Sequence, residues 1–80
     1  MKATAAKELE AVGTKADRQR IVARIRALAE DPRGPGAEQL AGHEKSFRVR
    51  QGRYRIVYLI DDARREVTVY RIGHRKDVYR

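Results

Sequence analysis

Three arginines of this chain stand at spacings that matter for chemistry. Arg48 and Arg50 are two residues apart in "SFRVRQ", and Arg55 follows shortly in "GRYRIVY". Side chains two apart on extended backbone project from one face. Gly52 marks a tight turn between them, so Arg55 returns on the neighbouring strand and can converge with the other two. Whether it shares their face is set by the hairpin register. Arg75 and Tyr79 lie in the terminal "RIGHRKDVYR", after a third strand that pairs with the second, so the tail can fold back near Arg55. Guanidinium groups beside a phenol suit a phosphodiester. Cleavage of RNA by its own 2′-hydroxyl requires loss of that proton, stabilisation of phosphorane charge and protonation of the leaving 5′-oxygen. Arginine supplies the second; tyrosine can orient the hydroxyl, stack on a base or move a proton.

Each residue also has a plainer reading. Arg48 and Arg50 fit the polar face of an edge strand, where charge blocks aggregation. Arg55 is harder to explain that way, because it interrupts the apolar "YRIVYLI", where charge serves no packing purpose. Tyr54, Tyr58 and Tyr70 fit core or half-buried sheet positions better than base-stacking platforms. His74 is a minor candidate that also fits an ordinary polar residue of a basic tail. His43 has no partner in view, and Asp77 fits an ion pair with a nearby arginine. The histidines lack carboxylates at ligand spacing, so neither metal nor other cofactor is expected.

The elements that must position these groups follow from periodicity. "TAAKELEAV" reads as a helix capped by Thr4 and stopped near Gly13. "TKADRQRIVARIRALAED" reads as a second, capped by Thr14 or Asp17. Ile21, Ile25 and Leu28 form its apolar stripe, with Val22 and Ala29. Pro32 and Pro35 end it. The short connection suggests an antiparallel pair. "AEQLAGHEK" reads as a loop or a single turn around Leu40. From Ser46 the period becomes two: Phe47 and Val49 alternate with Arg48 and Arg50, and Val67 and Val69 alternate with Thr68, Tyr70 and Ile72. The middle strand is apolar on both sides and so is central. "DDAR" from Asp61 makes the second turn. The expected fold is α+β: a helical hairpin on a three-stranded antiparallel meander, as one domain over residues 1–80.

Composition limits the partners. The net charge is +8, with a pI near 10.4. Residues 1–45 hold nine basic and seven acidic side chains; residues 46–80 hold ten and four, and nine of those ten are arginine. An Arg-rich basic half fits nucleic acid or an acidic protein partner; it equally fits a solvated basic surface. The charge-free "IVYLI" is far too short to span a bilayer. No signal peptide opens the chain and cysteine is absent, so a cytoplasmic location is the default expectation.

Two blocks, "LAGHEKSFRVRQGRYRIVYLIDD" and "VTVYRIGHRKDVYR", resemble the RelE family of bacterial and archaeal toxins, within the RelE/ParE superfamily. "AAKELEAV" and "IRALAEDPRGPGAEQLAG" resemble that family's helical hairpin and loop. The resemblance implies two helices on a curved antiparallel sheet and a metal-independent endoribonuclease. Such an enzyme cuts mRNA in the ribosomal A site by 2′-hydroxyl attack and so inhibits translation. It also implies a cognate antitoxin. Arg48 and Arg50 fall on the family's basic pair, Arg55 on its transition-state arginine, Arg75 on its second essential arginine, and Tyr79 on its C-terminal tyrosine. Two departures stand out. Some members carry lysine at the positions of Arg48 and Arg50, and arginine holds its proton too tightly to act readily as a base; Tyr79 or His74 could take that role. Members also usually begin with a strand before the first helix, whereas this chain enters its helix almost at once. A missing strand leaves a sheet edge open, so a homodimer through that edge is a further expectation. The alternative with the same fold is a ParE-like toxin that inhibits DNA gyrase by binding, or an inactive remnant.

Overall fold

The computed structural model describes residues 1–74. Helix α1 spans Ala3–Glu10 and α2 spans Lys15–Glu30. Four strands follow: β1 Glu38–Gln39, β2 Ser46–Gln51, β3 Tyr54–Asp61 and β4 Glu66–His74. They form one antiparallel sheet in the order β1-β2-β3-β4.

Local chemistry sets most boundaries. Thr14 caps α2, its Oγ1 accepting from the Asp17 N–H at 3.1 Å. The helix ends at Glu30, before Pro32. Thr4, expected as the cap of α1, lies instead in its first turn; the cap position is Lys2, whose side chain makes no capping bond. The Lys2 N–H donates to the Val69 carbonyl on β4 at 2.8 Å. Gly52 has φ +61 in the β2–β3 turn, a conformation that glycine adopts without a side-chain clash.

The sheet corrects two expectations. First, it has four strands, not three: Glu38 and Gln39, read as loop, pair with Arg48 and Phe47. Two polar residues carry no readable alternation, and their strand geometry is imposed by β2. Second, Ile72 does not face away from Val67 and Val69. Val57 pairs with Arg71 while Tyr58 pairs with Val69, so β4 carries an extra residue there. The bulge shifts the phase by one and returns Ile72 to the helix side.

One face of the sheet meets both helices. Ala5, Val12, Ile21 and Leu28 pack with Phe47, Val49, Ile56, Tyr58, Ile60, Val69 and Ile72, with Ile25 partly buried against them. Tyr58 is fully buried; its ring lies 6.0 Å from Phe47 and its hydroxyl donates to the Pro32 carbonyl at 2.6 Å. Burial pushes its phenol above the ordinary tyrosine range, partly offset by Arg24 and Arg33. Tyr54 is partly buried against the same cluster, and Tyr70 is half-buried.

The loop after α2 is tied down a second time. Arg33 donates to both carboxylate oxygens of Asp62, at 2.8 and 3.0 Å, and its guanidinium sits 5.4 Å from the Phe47 ring centre. The hydrogen bond from Arg33 holds the Asp62 carboxyl below the usual carboxylate range. A depressed folded-state value gives stability that is present above the unfolded value, about pH 4, and lost as pH falls through the folded one. Thermal melts of Asp62→Asn should therefore lie below wild type at about pH 6, and the gap should close as pH falls below the ordinary carboxylate range. The pair is exposed, so the gap should be small and shrink with salt.

At the outer edge of β4, the Glu8 carboxylate of α1 accepts the Ile72 N–H at 3.0 Å and the Arg71 Nε at 3.2 Å. A helix side chain thus occupies a backbone donor that a further strand would use. No strand precedes α1 among the described residues.

Candidate active site

The β2–β3 register decides which arginines converge. Arg50 lies directly opposite Arg55, and Arg48 opposite Val57. The three guanidinium-bearing residues therefore share the face turned away from the helices. Directly opposed side chains start about 5 Å apart at Cβ, and like charges so placed destabilise a sheet. Arg55 is moreover buried, with 8% of its surface exposed. Neither arrangement serves the apolar core.

Arg48, Arg50 and Arg55 line one cavity of about 230 Å³, together with Gly36, Glu38 and Val49. It lies where β1 stops pairing, since β1 covers β2 only at Phe47 and Arg48. Beyond that point the β2 edge is open to the cavity. Glu38 accepts from Arg48 Nη2 at 2.9 Å and from its Nε at 3.3 Å. The wall also contains Gly36, whose φ of +86 suits glycine alone.

Chemically the recess sets three guanidinium groups around one carboxylate in its wall. Three guanidinium groups in a partly desolvated recess bind phosphate oxygens more strongly than they would in water. Glu38 and Gly36 were not singled out in the sequence. A glutamate inside "GAEQL" carries no periodic signal, and Gly36 lies in the proline-containing segment that follows α2. Among the described residues no three His, Cys, Asp or Glu side chains gather closely enough to hold a metal ion.

Neither histidine lines this pocket. His74 is exposed at the end of β4, its ring edge-on to Tyr54 at 6.0 Å. His43 is exposed in a turn, its N–H donating to the Leu40 carbonyl. Arg75, Tyr79 and Asp77 lie outside the described residues. No helix among the described residues is long and apolar enough to cross a membrane.

A helical pair on one face of a small antiparallel sheet, with an arginine-lined recess on the strands, defines a class of small basic α+β domains. The family model that describes the ParE toxin of type II toxin–antitoxin systems, parDE, matches residues 1–79, and the chain belongs to that family, within the RelE/ParE toxin superfamily. Toxin RelG of Mycobacterium tuberculosis is 44% identical over 46 residues, covering 58% of this chain. The match spans about half, 49%, of that relative's length. Among solved structures, the RelB–RelE antitoxin–toxin complex of Methanococcus jannaschii superposes with a TM-score of 0.77 at 23% identity, covering 98% of this chain and 92% of the other. That likeness is one of fold. The toxin–antitoxin complex RelBE2 of Mycobacterium tuberculosis gives 0.68 at 28% identity, covering 92% and 91%. The isolated E. coli RelE toxin gives 0.74 at 26%, covering 94% and 82%.

Proposed function

We propose that the protein is the toxin of a type II toxin–antitoxin pair, acting as a metal-independent, ribosome-dependent mRNA endoribonuclease. The observation that carries this reading is the convergence of Arg48, Arg50 and Arg55 on one recess that also contains a carboxylate. In the reaction the 2′-oxygen loses its proton and bonds to the adjacent phosphorus. The bond from phosphorus to the 5′-oxygen then breaks, and that oxygen is protonated. The products are a 2′,3′-cyclic phosphate and a 5′-hydroxyl. Arg55, with Arg48 and Arg50, neutralises the charge that builds on the phosphorane. Arg75 is proposed as the second charge stabiliser or acid, and Tyr79 as the ring that stacks on or orients the substrate.

Arginine is a poor base, and Glu38 supplies what the three arginines lack: a carboxylate that can accept the hydroxyl proton. Glu38→Gln should then lower single-turnover cleavage on programmed ribosomes by about 10²-fold or more while leaving the melting temperature close to wild type. Unchanged cleavage would return the role of base to Tyr79 or His74. Tyr79→Phe separates two roles in the same assay. A sharp fall means that the hydroxyl acts; near-wild-type cleavage means that only the ring does. Free RNA should be cut poorly, because alignment of the nucleotide is left to the ribosome.

The proposed partners are a cognate antitoxin, the ribosome and mRNA. One observation favours a second reading: the matching family model describes ParE toxins. On that reading the protein binds DNA gyrase and cuts no RNA. A translating extract analysed by primer extension distinguishes them. Cuts within A-site codons support the nuclease, and gyrase-dependent DNA breaks without mRNA cuts support the alternative.

A further inference from the structure

We propose that Arg24 is a positioning residue of the arginine pocket: from α2 it clamps the Pro35–Gly36 segment and so fixes the wall that Gly36 and Glu38 contribute. Its catalytic consequence rests on the nuclease reading above; the clamp itself does not.

Arg24 is half-buried in the middle of α2. Its Nη2 donates to the Pro35 carbonyl at 2.7 Å, while its buried Nε has no hydrogen-bond partner. An arginine held partly out of water with an unpaired N–H is unfavourable for the helix. Its hydrogen bond goes to a loop carbonyl, not to a carboxylate. The contact closes tightly. A Cβ added at Gly36 would lie 3.1 Å from Arg24 Nη2 and 3.7 Å from Val49 Cγ2. The guanidinium, the Gly36 backbone and Val49, the valine of "FRVR", therefore meet at one point. Val49 sits between Arg48 and Arg50 on β2.

From that point the wall runs directly to the arginines. Two residues beyond Gly36, Glu38 pairs with Arg48 through the β1–β2 register and through its side chain. A shift of Pro35 and Gly36 would move Glu38, and with it the guanidinium it holds. Displacements near 1 Å at such groups can cost about 10²-fold in rate. The rigid helix thus sets the position of a loop that a sheet-only view of the site would leave free.

The test uses the full chain with Arg24→Met, Arg24→Lys and Gly36→Ala. In Arg24→Met, amide exchange at residues 36–38 should accelerate about tenfold or more, with little change elsewhere in the sheet. Cleavage on programmed ribosomes should fall about tenfold in kcat, with KM changed much less. Arg24→Lys, which keeps a donor, should recover part of both. Gly36→Ala retains the charge yet forces the contact and strains the backbone, so it should lower kcat without loss of the fold. Wild-type exchange at 36–38 in Arg24→Met overturns the clamp. Faster exchange with unchanged kcat overturns its positioning role. If wild type cuts no mRNA, the nuclease reading has failed, and the clamp stands or falls on exchange alone.

Discussion

Arg55→Ala should reduce ribosome-dependent mRNA cleavage by about 10²–10³-fold, the range for loss of one preorganised transition-state donor. Growth arrest on expression should disappear with it. The fold should survive, since the change removes one of two like charges placed opposite each other across β2 and β3. Melting temperature and antitoxin affinity should stay near wild type. Arg55→Lys refines the result: it keeps the charge but not the planar fork, and so should recover only part of the activity. The decisive negative is a fully toxic Arg55→Ala, which would remove the pocket from the mechanism. A variant that is inactive but misfolded decides nothing, so circular dichroism and antitoxin binding belong in the same experiment.

Tyr58→Ala should have the largest effect on stability. The side chain is fully buried and stacks near Phe47, and it closes the loop after α2 through Pro32. Truncating a buried aromatic costs about 3–5 kcal/mol. Small domains hold only about 5–15 kcal/mol in total, so the variant should be partly unfolded near 37 °C. Tyr58→Phe isolates the hydrogen bond and should cost about 1–2 kcal/mol. Urea unfolding followed by circular dichroism measures both. A Tyr58→Phe loss as large as that of Tyr58→Ala would mean that the loop contact, rather than the ring, supports the core.

The helices and the central strand were legible because their signals are dense. Ile21, Ile25 and Leu28 repeat at helical spacing, and "YRIVYLI" can sit only in the middle of a sheet. The charge that interrupts that strand, Arg55, is buried and lines the recess with Arg48 and Arg50. Three features were not legible, each for a physical reason. The bulge that returns Ile72 to the core depends on the pairing of β4 with β3 and leaves no mark in local composition. Strand β1 exists because β2 holds it. Glu38 and Gly36 enter the pocket through a loop whose course is set by Arg24 and Tyr58, both distant in sequence. Register was the hinge of the site: Arg55 faces the same way as Arg48 and Arg50 because Gln51 pairs with Tyr54, leaving only Gly52 and Arg53 in the turn.

The carboxylate of Glu8 on the Ile72 amide has a consequence for self-association. A second copy adding its own strand along β4 must first evict that carboxylate and strand the Arg71 charge, so homotypic stacking meets a built-in gatekeeper. Neutralising it, as in Glu8→Ala, converts a guarded rim into an adhesive one. Concentration-dependent sedimentation would register that change as the onset of dimers or larger species.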